Sequence, residues 1–259
     1  MLKKERQQII LNRVNKQGRV TTNEMVEEFG CAVDTIRKDF QEMGKAGIVK
    51  RVHGGVLRIE KELLDFKDRM TEKVHVKQIL AEKATTLLKD QSIIYIDGGT
   101  TNLKFAESLP KDLQTMVVTN SPAIALALCD FPGIEITVLA GQMQKTTRLI
   151  EGSNTLQQIE NMHFQIAVIG VSSISAESGI TYPSMEEAML KKAAFEHAQQ
   201  VIIIANKEKI GSVAGFQAAD ISTVTFLVTD ETNETILAPY RKAGIEIIIS
   251  ETSLPDNTQ

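Results

Sequence analysis

The chain has 259 residues, 42% of them hydrophobic, and a formal net charge of −4. That length provides for one small domain and one of ordinary size, with apolar material for a sizeable core. No stretch approaches the roughly 20 apolar residues of a membrane span, and the charged start Met1-Leu2-Lys3-Lys4-Glu5 lacks the apolar run of a signal peptide. A cytoplasmic protein with no membrane partner is expected. Cys31 and Cys129 show no CxxC spacing and the four histidines are scattered, which argues against a disulfide or a zinc site.

The first segment reads as three helices and a wing. Arg6, Ile10 and Val14 stand at i, i+4 and i+8 on a helix reaching about Gln17, where Gly18 stops it. Thr21 with Glu24 forms a capping box for a second helix through about Phe29, and Gly30 supplies the turn of a helix-turn-helix. A third helix spans about Asp34 to Met43. Its Ile36 and Phe40 share one face, which turns Thr35, Arg37 and Lys38 outward as a cationic surface suited to a major groove. Gly44 and Gly47 break this helix. Ile48–Val52 and Val56–Ile59 then flank His53-Gly54-Gly55 as a hairpin, placing Arg51 and His53 on a wing. Without a functional reading, the same residues make a three-helix module with a solvated basic face. Residues 1–58 carry 12 Lys+Arg against 7 Asp+Glu, whereas the remainder carries 17 against 26, a division that suits one end to phosphate.

Glu60-Lys61-Glu62 interrupts the wing strand, so the first domain is expected at 1–58, a linker at 59–70, a second domain at 71–250 and a loose tail at 251–259. A helix from about Thr71 to Lys89 opens the second domain. Short β-rich runs follow at Ser92–Ile96, Thr115–Val118, Ile134–Ala140, Ile166–Gly170, Gln200–Ala205, Thr225–Thr229 and Ile245–Ile249, most of them separated by helical segments. This alternation predicts an α/β domain with a doubly wound, mainly parallel sheet, whose ligands bind beyond the carboxyl ends of its strands.

The first of those strands runs into Asp97-Gly98-Gly99-Thr100-Thr101 and a helix. Glycines that let amides turn inward, two hydroxyls and a helix N-terminus make an anion cradle, with phosphate as the expected anion. The plain alternative is a strand-to-helix turn capped by Thr100 or Asp97. A Walker sequence is absent and the loop does not fit GxGxxG, so no nucleotide cofactor is expected. Thr119-Asn120-Ser121, Gly141-Gln142, Glu151-Gly152, Gly170-Val171-Ser172 and Gly179-Ile180-Thr181 sit where the same pocket would close, with neutral donors suited to sugar hydroxyls. Each alone is ordinary turn chemistry.

These motifs resemble the DeoR family of bacterial transcriptional regulators over nearly the whole chain. Arg6, Ile10, Val14, Ala32, Thr35, Ile36, Arg37, Lys38, Asp39 and Phe40 fill its N-terminal signature, followed by the wing residues Arg51, His53, Gly54 and Gly55. Asp97 with Gly99, Thr100 and Thr101, then Thr119, Asn120 and Ser121, Gly141, Gly152, and Lys209 with Gly211 fill the effector-domain pattern in order. The resemblance implies a domain similar to phosphosugar isomerases of the ribose-5-phosphate isomerase type, sensing a phosphorylated sugar or related metabolite. It adds Glu187 and Lys191 as an acidic–basic pair, which otherwise reads as an i,i+4 surface pair. Four residues depart from the pattern. Ala32 replaces a common serine, leaving Asp34 or Thr35 to cap the third helix; Gln142, Gln165 and Asn206 stand where relatives have glycine, Asp and Asp.

A phosphosugar isomerase fused to a DNA-binding domain is the competing class. Isomerisation needs a positioned base, and the segment 170–179 offers only Glu177, in an apparent exposed turn. The expectation is therefore a non-enzymatic regulator, a repressor of a sugar or polyol operon, without metal or cofactor. Arg37, Lys38 and Thr35 with Arg51 and His53 meet operator DNA, and a homodimer or homotetramer provides paired half-sites. The effector-binding set is Asp97, Gly98, Gly99, Thr100, Thr101, Thr119, Asn120, Gly141, Glu151, Gly152, Gly170, Glu187, Lys191 and Lys209.

Overall fold

In the computed structural model, which describes residues 2–58, 65–88 and 92–250, helix α1 (Lys3–Gln17) fully buries Ile10 and Val14 and ends where Gly18 turns left-handed. Strand β1 (Arg19–Thr21) leads into α2 (Thr22–Phe29), which begins with the Thr21–Glu24 capping box and stops at Gly30. Helix α3 (Val33–Lys45) packs Ile36, Phe40 and Met43 onto Ile10, Val14, Val20, Met25, Val49 and Val56. Each such burial contributes about 1.5–3 kcal/mol. Neither Asp34 nor Thr35 caps α3. Ala32 is its N-cap without a side-chain bond, and the Thr35 amide donates to the Ala32 carbonyl at 2.9 Å. A partly buried pair that the sequence pattern did not foretell joins the helices: Arg6 Nε lies 2.5 Å from Asp39 Oδ2.

The wing is β2 (Val49–Val52) and β3 (Gly55–Arg58), with β3 central between β1 and β2 in an antiparallel sheet. At Gly55 any Cβ would overlap the Val20 carbonyl oxygen, so the approach of β1 to β3 requires glycine.

Contacts divide the chain into units 1–62 and 63–259. The expected linker is shortened at its end by α4 (Phe66–Thr71), because Phe66 is apolar enough to be buried in the core of the second unit. Residues 59–64 of that linker, the end of the helix expected to reach Lys89 and the tail 251–259 lie outside the described residues. Lys73, with φ +48, separates α4 from α5 (Val74–Thr85), where one continuous helix from Thr71 was expected.

The chain then runs through β4 (Ile93–Ile96), α6 (Thr100–Glu107), β5 (Thr115–Thr119), α7 (Pro122–Leu128), β6 (Ile134–Val138), β7 (Gln142–Gln144), β8 (Leu149–Glu151), α8 (Ser153–Glu160) and β9 (Phe164–Ile169). It continues with β10 (Ser173–Ser175), β11 (Gly179–Tyr182), α9 (Met185–Glu196), β12 (Ala198–Ile204), β13 (Phe216–Ala219), β14 (Phe226–Thr229), α10 (Glu234–Lys242) and β15 (Glu246–Ile249). All seven expected strands pair in one parallel sheet, ordered β15-β14-β12-β9-β4-β5-β6. Alternate residues feed a separate core on each face: Ile94 and Ile96 join Leu80 and Phe105, whereas Tyr95, Ala167 and Ile169 join Leu190 and Leu237. The order reverses between β4 and β9, so the ligand crevice of such a sheet falls at their carboxyl ends. Two features lacked a sequence expectation, the antiparallel β10-β11-β13 sheet and the separate β7–β8 hairpin.

Candidate functional site

On the winged helix, Arg37 and Lys38 are exposed, Thr35 is half-buried, and Ile36 and Phe40 face the core. Arg37 lies 3.6 Å from Asp34, with 66% and 84% of the two side chains exposed. Such a pair holds its cation weakly and leaves it available to another anion. Arg51 and His53 are exposed on the wing. Arg51 lays its aliphatic stem against Gly44, and with Gln41, Lys45, Val49 and Lys50 they line a groove of about 540 Å³. Lys45 and Lys50 extend the basic surface beyond the residues the motif named.

In the second unit the loop after β4 lies at the carboxyl end of the sheet, where the reversal of strand order locates a ligand crevice. Asp97 is fully buried; one carboxylate oxygen pairs with the equally buried Lys191 ammonium and the other accepts the Gly170 amide at 2.9 Å. Lys191 is thus a core residue, not half of a surface pair with Glu187. The Asn102 amide donates to the Asp97 carbonyl at 2.8 Å, and the Tyr182 hydroxyl to the Gly170 carbonyl at 2.7 Å. Thr119 donates to the Ile96 carbonyl at 2.6 Å, and the Gly98 amide donates to Asn120 Oδ1 at 3.2 Å. Asp97, Thr119 and Asn120 therefore spend these groups on tying β4, β5 and β9 together, and they shape the crevice instead of opening into it. Helix α6 starts behind Gly99, with no side-chain cap from Asp97 or Thr100. Its first-turn amides keep the positive end of the helix dipole. Thr100 is buried and Thr101 half-buried.

Around this end of the sheet stand charges from five elements. Lys209, in a single 3-10 turn at Lys207–Lys209, donates to the Val171 carbonyl at 2.5 Å, and burial followed by the nearby charges of Arg69 and Lys77 lowers it to about 8. Burial also lowers Arg69 and Lys77 from their ordinary values, and Lys77 donates to the Arg69 carbonyl. Burial raises Glu187, against the opposing pull of Lys191, and raises Glu151, reinforced by Glu187. Tyr95 and Tyr182 are held well above the ordinary phenol value, first by burial and then by Asp97. The buried atoms Arg69 Nε and Asn206 Oδ1 have no hydrogen-bond partner among the described residues.

The fold thus brings Asp97, Gly98, Thr100, Gly170, Glu187, Lys191 and Lys209 to one end of the sheet, with Glu151 electrostatically coupled to Glu187 and Asp97. Gly141 sits against the Thr155 hydroxyl and Gly152 is the N-cap of α8, so both serve the backbone. Gln165 accepts the Ile93 amide at 2.6 Å and staples the sheet. Arg69 escaped the sequence reading because 59–70 looked like linker, although Phe66, Arg69 and Met70 share one helical face; Lys77 lay on the helix expected from Thr71, where no motif singled it out. Glu177, the acid of the isomerase alternative, is exposed between β10 and β11. No cluster of three or more metal-binding side chains occurs among the described residues, and no helix there is long and apolar enough to cross a membrane.

A winged helix joined to an α/β domain that gathers charged side chains at one end of its sheet is the construction of a ligand-responsive DNA-binding regulator. Comparison with known proteins agrees. Residues 6–62 match the DeoR-like helix-turn-helix domain and residues 72–231 the DeoR C-terminal sensor domain. The chain belongs to the DeoR family. It is 29% identical over 250 residues to the transcriptional regulator FruR of Bacillus subtilis, covering 96% of this chain and 99% of that one. It is 29% identical to the transcriptional repressor GlcR of the same organism (97% and 98% covered) and 27% identical to the glycerol-3-phosphate regulon repressor of Escherichia coli (89% and 92%). These relatives are transcriptional regulators and repressors, not enzymes. Among solved structures, the sorbitol operon regulator SorC of Klebsiella pneumoniae aligns with a TM-score of 0.42 at 14% identity, over 90% of this chain and 98% of that one. Ribose 5-phosphate isomerase A of Neisseria gonorrhoeae aligns with a TM-score of 0.39 at 18% identity, over 52% of each chain.

Proposed function

We propose that the protein is a cytoplasmic repressor of a sugar or polyol operon, and that a phosphorylated sugar in the crevice beyond β4 and β9 changes its operator affinity. The observation that carries this reading is the crowding of Arg69, Lys77 and Lys209 beside the uncapped start of α6. Cations drawn together out of water disfavour one another, and a phosphate dianion offsets that cost while accepting their N–H groups. The amides and hydroxyls of Gly98 to Thr101 share the phosphate, and Glu151 and Glu187 accept from sugar hydroxyls. Thr35, Arg37 and Lys38 read the major groove, with Arg51 and His53 on the adjoining backbone or minor groove. A dimer or tetramer spans paired half-sites. The naming of one relative for glycerol 3-phosphate supports a phosphorylated effector.

A thermal-shift screen of phosphorylated sugars against their dephosphorylated counterparts tests the effector reading. A ligand at 100 times its dissociation constant adds about 2.7 kcal/mol. Equal responses to sugar and sugar phosphate, or effector affinity unchanged by Thr100→Val and Lys209→Ala, would remove the phosphate crevice.

A further inference from the structure

The β7–β8 hairpin stands apart from the main sheet, yet three attachments bind it to the crevice. Leu149 is buried against Gly98 so closely that a Cβ at residue 98 would overlap its Cδ2. Asn120, which accepts the Gly98 amide, also meets the hairpin, because its carbonyl accepts the Ile150 amide at 2.8 Å. At the other end the Thr146 carbonyl accepts the Phe66 amide at 2.9 Å, and the Arg148 guanidinium lies 5.4 Å from the Phe66 ring centroid. Arg69 lies 6.0 Å from the same centroid. Arg148 also takes a left-handed backbone, φ +58, to reach this position. Phe66 is the first residue of α4, which carries Arg69 and is the first described helix after the wing strand ending at Arg58.

We propose that the β7–β8 hairpin is a strap that links the path of the Gly98–Thr101 loop to the placement of α4, with Leu149 and Arg148 as its positioning residues. The loop cannot shift at Gly98 without displacing Leu149, and a two-stranded ribbon held by its own ladder carries that displacement to Thr146 and Arg148. Phe66 then moves with them, because its amide is bonded to the Thr146 carbonyl and its ring lies beside Arg148. The strap rests on the reading of the loop as an anion site for its trigger, but its mechanical linkage does not need a ligand.

Hydrogen–deuterium exchange on the full chain separates the two. In wild type, excess inorganic phosphate slows exchange in 98–103 and in 66–71 together. In Leu149→Ala and Arg148→Asn it still slows 98–103 but no longer slows 66–71, and asparagine keeps the left-handed backbone accessible. Protection of 66–71 persisting in both variants overturns the strap. If phosphate slows neither segment in wild type, the anion reading fails, and the ligand-free arm judges the strap alone. There both variants speed exchange at 66–71 by about fivefold or more, the lower end of a typical coupling. The exposed hairpin control Met143→Ala does not. Rates equal to the control overturn the linkage.

Discussion

Lys209 offers the sharpest test of the crevice's electrostatics. Its ordinary value of 10.5 falls to about 8 because the ammonium of this half-buried residue is stripped of water and stands near Arg69, Lys77 and Lys191, against the opposing pull of Glu187. The folded value lies below the unfolded one, so the unfolded chain binds more protons between those two limits. Ligand-free stability therefore rises with pH through that window, by on the order of 3 kcal/mol at most. Effector binding runs the other way. A phosphate dianion pairs with the protonated amine, so affinity is greatest below about pH 8 and declines above it. A group titrating near 8 goes from about nine-tenths protonated at pH 7 to about one-tenth at pH 9, which costs about tenfold in affinity, or about 1.4 kcal/mol. The phosphate stays dianionic throughout, since its second ionisation lies near pH 6. Lys209→Met keeps the stem and removes the charge. It is expected to raise ligand-free stability at about pH 7, reduce the stability slope above about pH 8, weaken the sugar phosphate and flatten its pH dependence. Urea unfolding and titration calorimetry across this range read both arms. Affinity that stays constant in wild type, or an identical slope in Lys209→Met, refutes the reasoning.

Arg37→Ala is expected to cost about 1–3 kcal/mol in operator binding if the guanidinium makes a bidentate base contact, whereas Lys38→Ala weakens all sequences and reduces the salt slope by about one; anisotropy across salt concentrations distinguishes them. Gly55→Ala forces a methyl onto the Val20 carbonyl and should destabilise the winged helix by about 1–3 kcal/mol, seen as earlier loss of its exchange protection with the second unit unchanged. Asp97→Ala strands the buried Lys191 ammonium and should cost about 3–5 kcal/mol, while Asp97→Ala with Lys191→Met costs much less; if the pair were not coupled, chemical denaturation would show the double variant losing the sum of the two single losses.

How much was legible in the sequence differs sharply between scaffold and site. Periodicity places Ile10, Val14, Ile36 and Phe40 in one core and all seven strands of the parallel sheet, because each element obeys the side-chain repeat of its own backbone. Turn chemistry names Gly18, Gly30 and the Thr21–Glu24 box for local reasons that need no tertiary context. The β7–β8 hairpin and the β10-β11-β13 sheet escape because segments such as Gln142-Met143-Gln144, Ser173-Ile174-Ser175 and Phe216-Gln217-Ala218-Ala219 lack the continuous apolar run that marks equally short strands such as β4.

In the crevice, sequence names the residues but not the direction of their side chains. Asp97 stands in a glycine–threonine loop of the kind that meets phosphate, yet a carboxylate there would repel the anion. Its burial against Lys191 and the Gly170 amide resolves that conflict by making it the tie between β4, β9 and α9. The countercharge for an anion must then come from elsewhere, because Lys191 is already neutralised. In the proposed site Arg69, Lys77 and Lys209 would supply it, from segments over 100 residues apart in the chain, with Arg69 and Lys77 on one side and Lys209 on the other. Such a cluster has no local signature. It exists because a parallel sheet gathers its strand ends at one edge, so the charge at the crevice is set by topology where the charge of each loop is set by sequence.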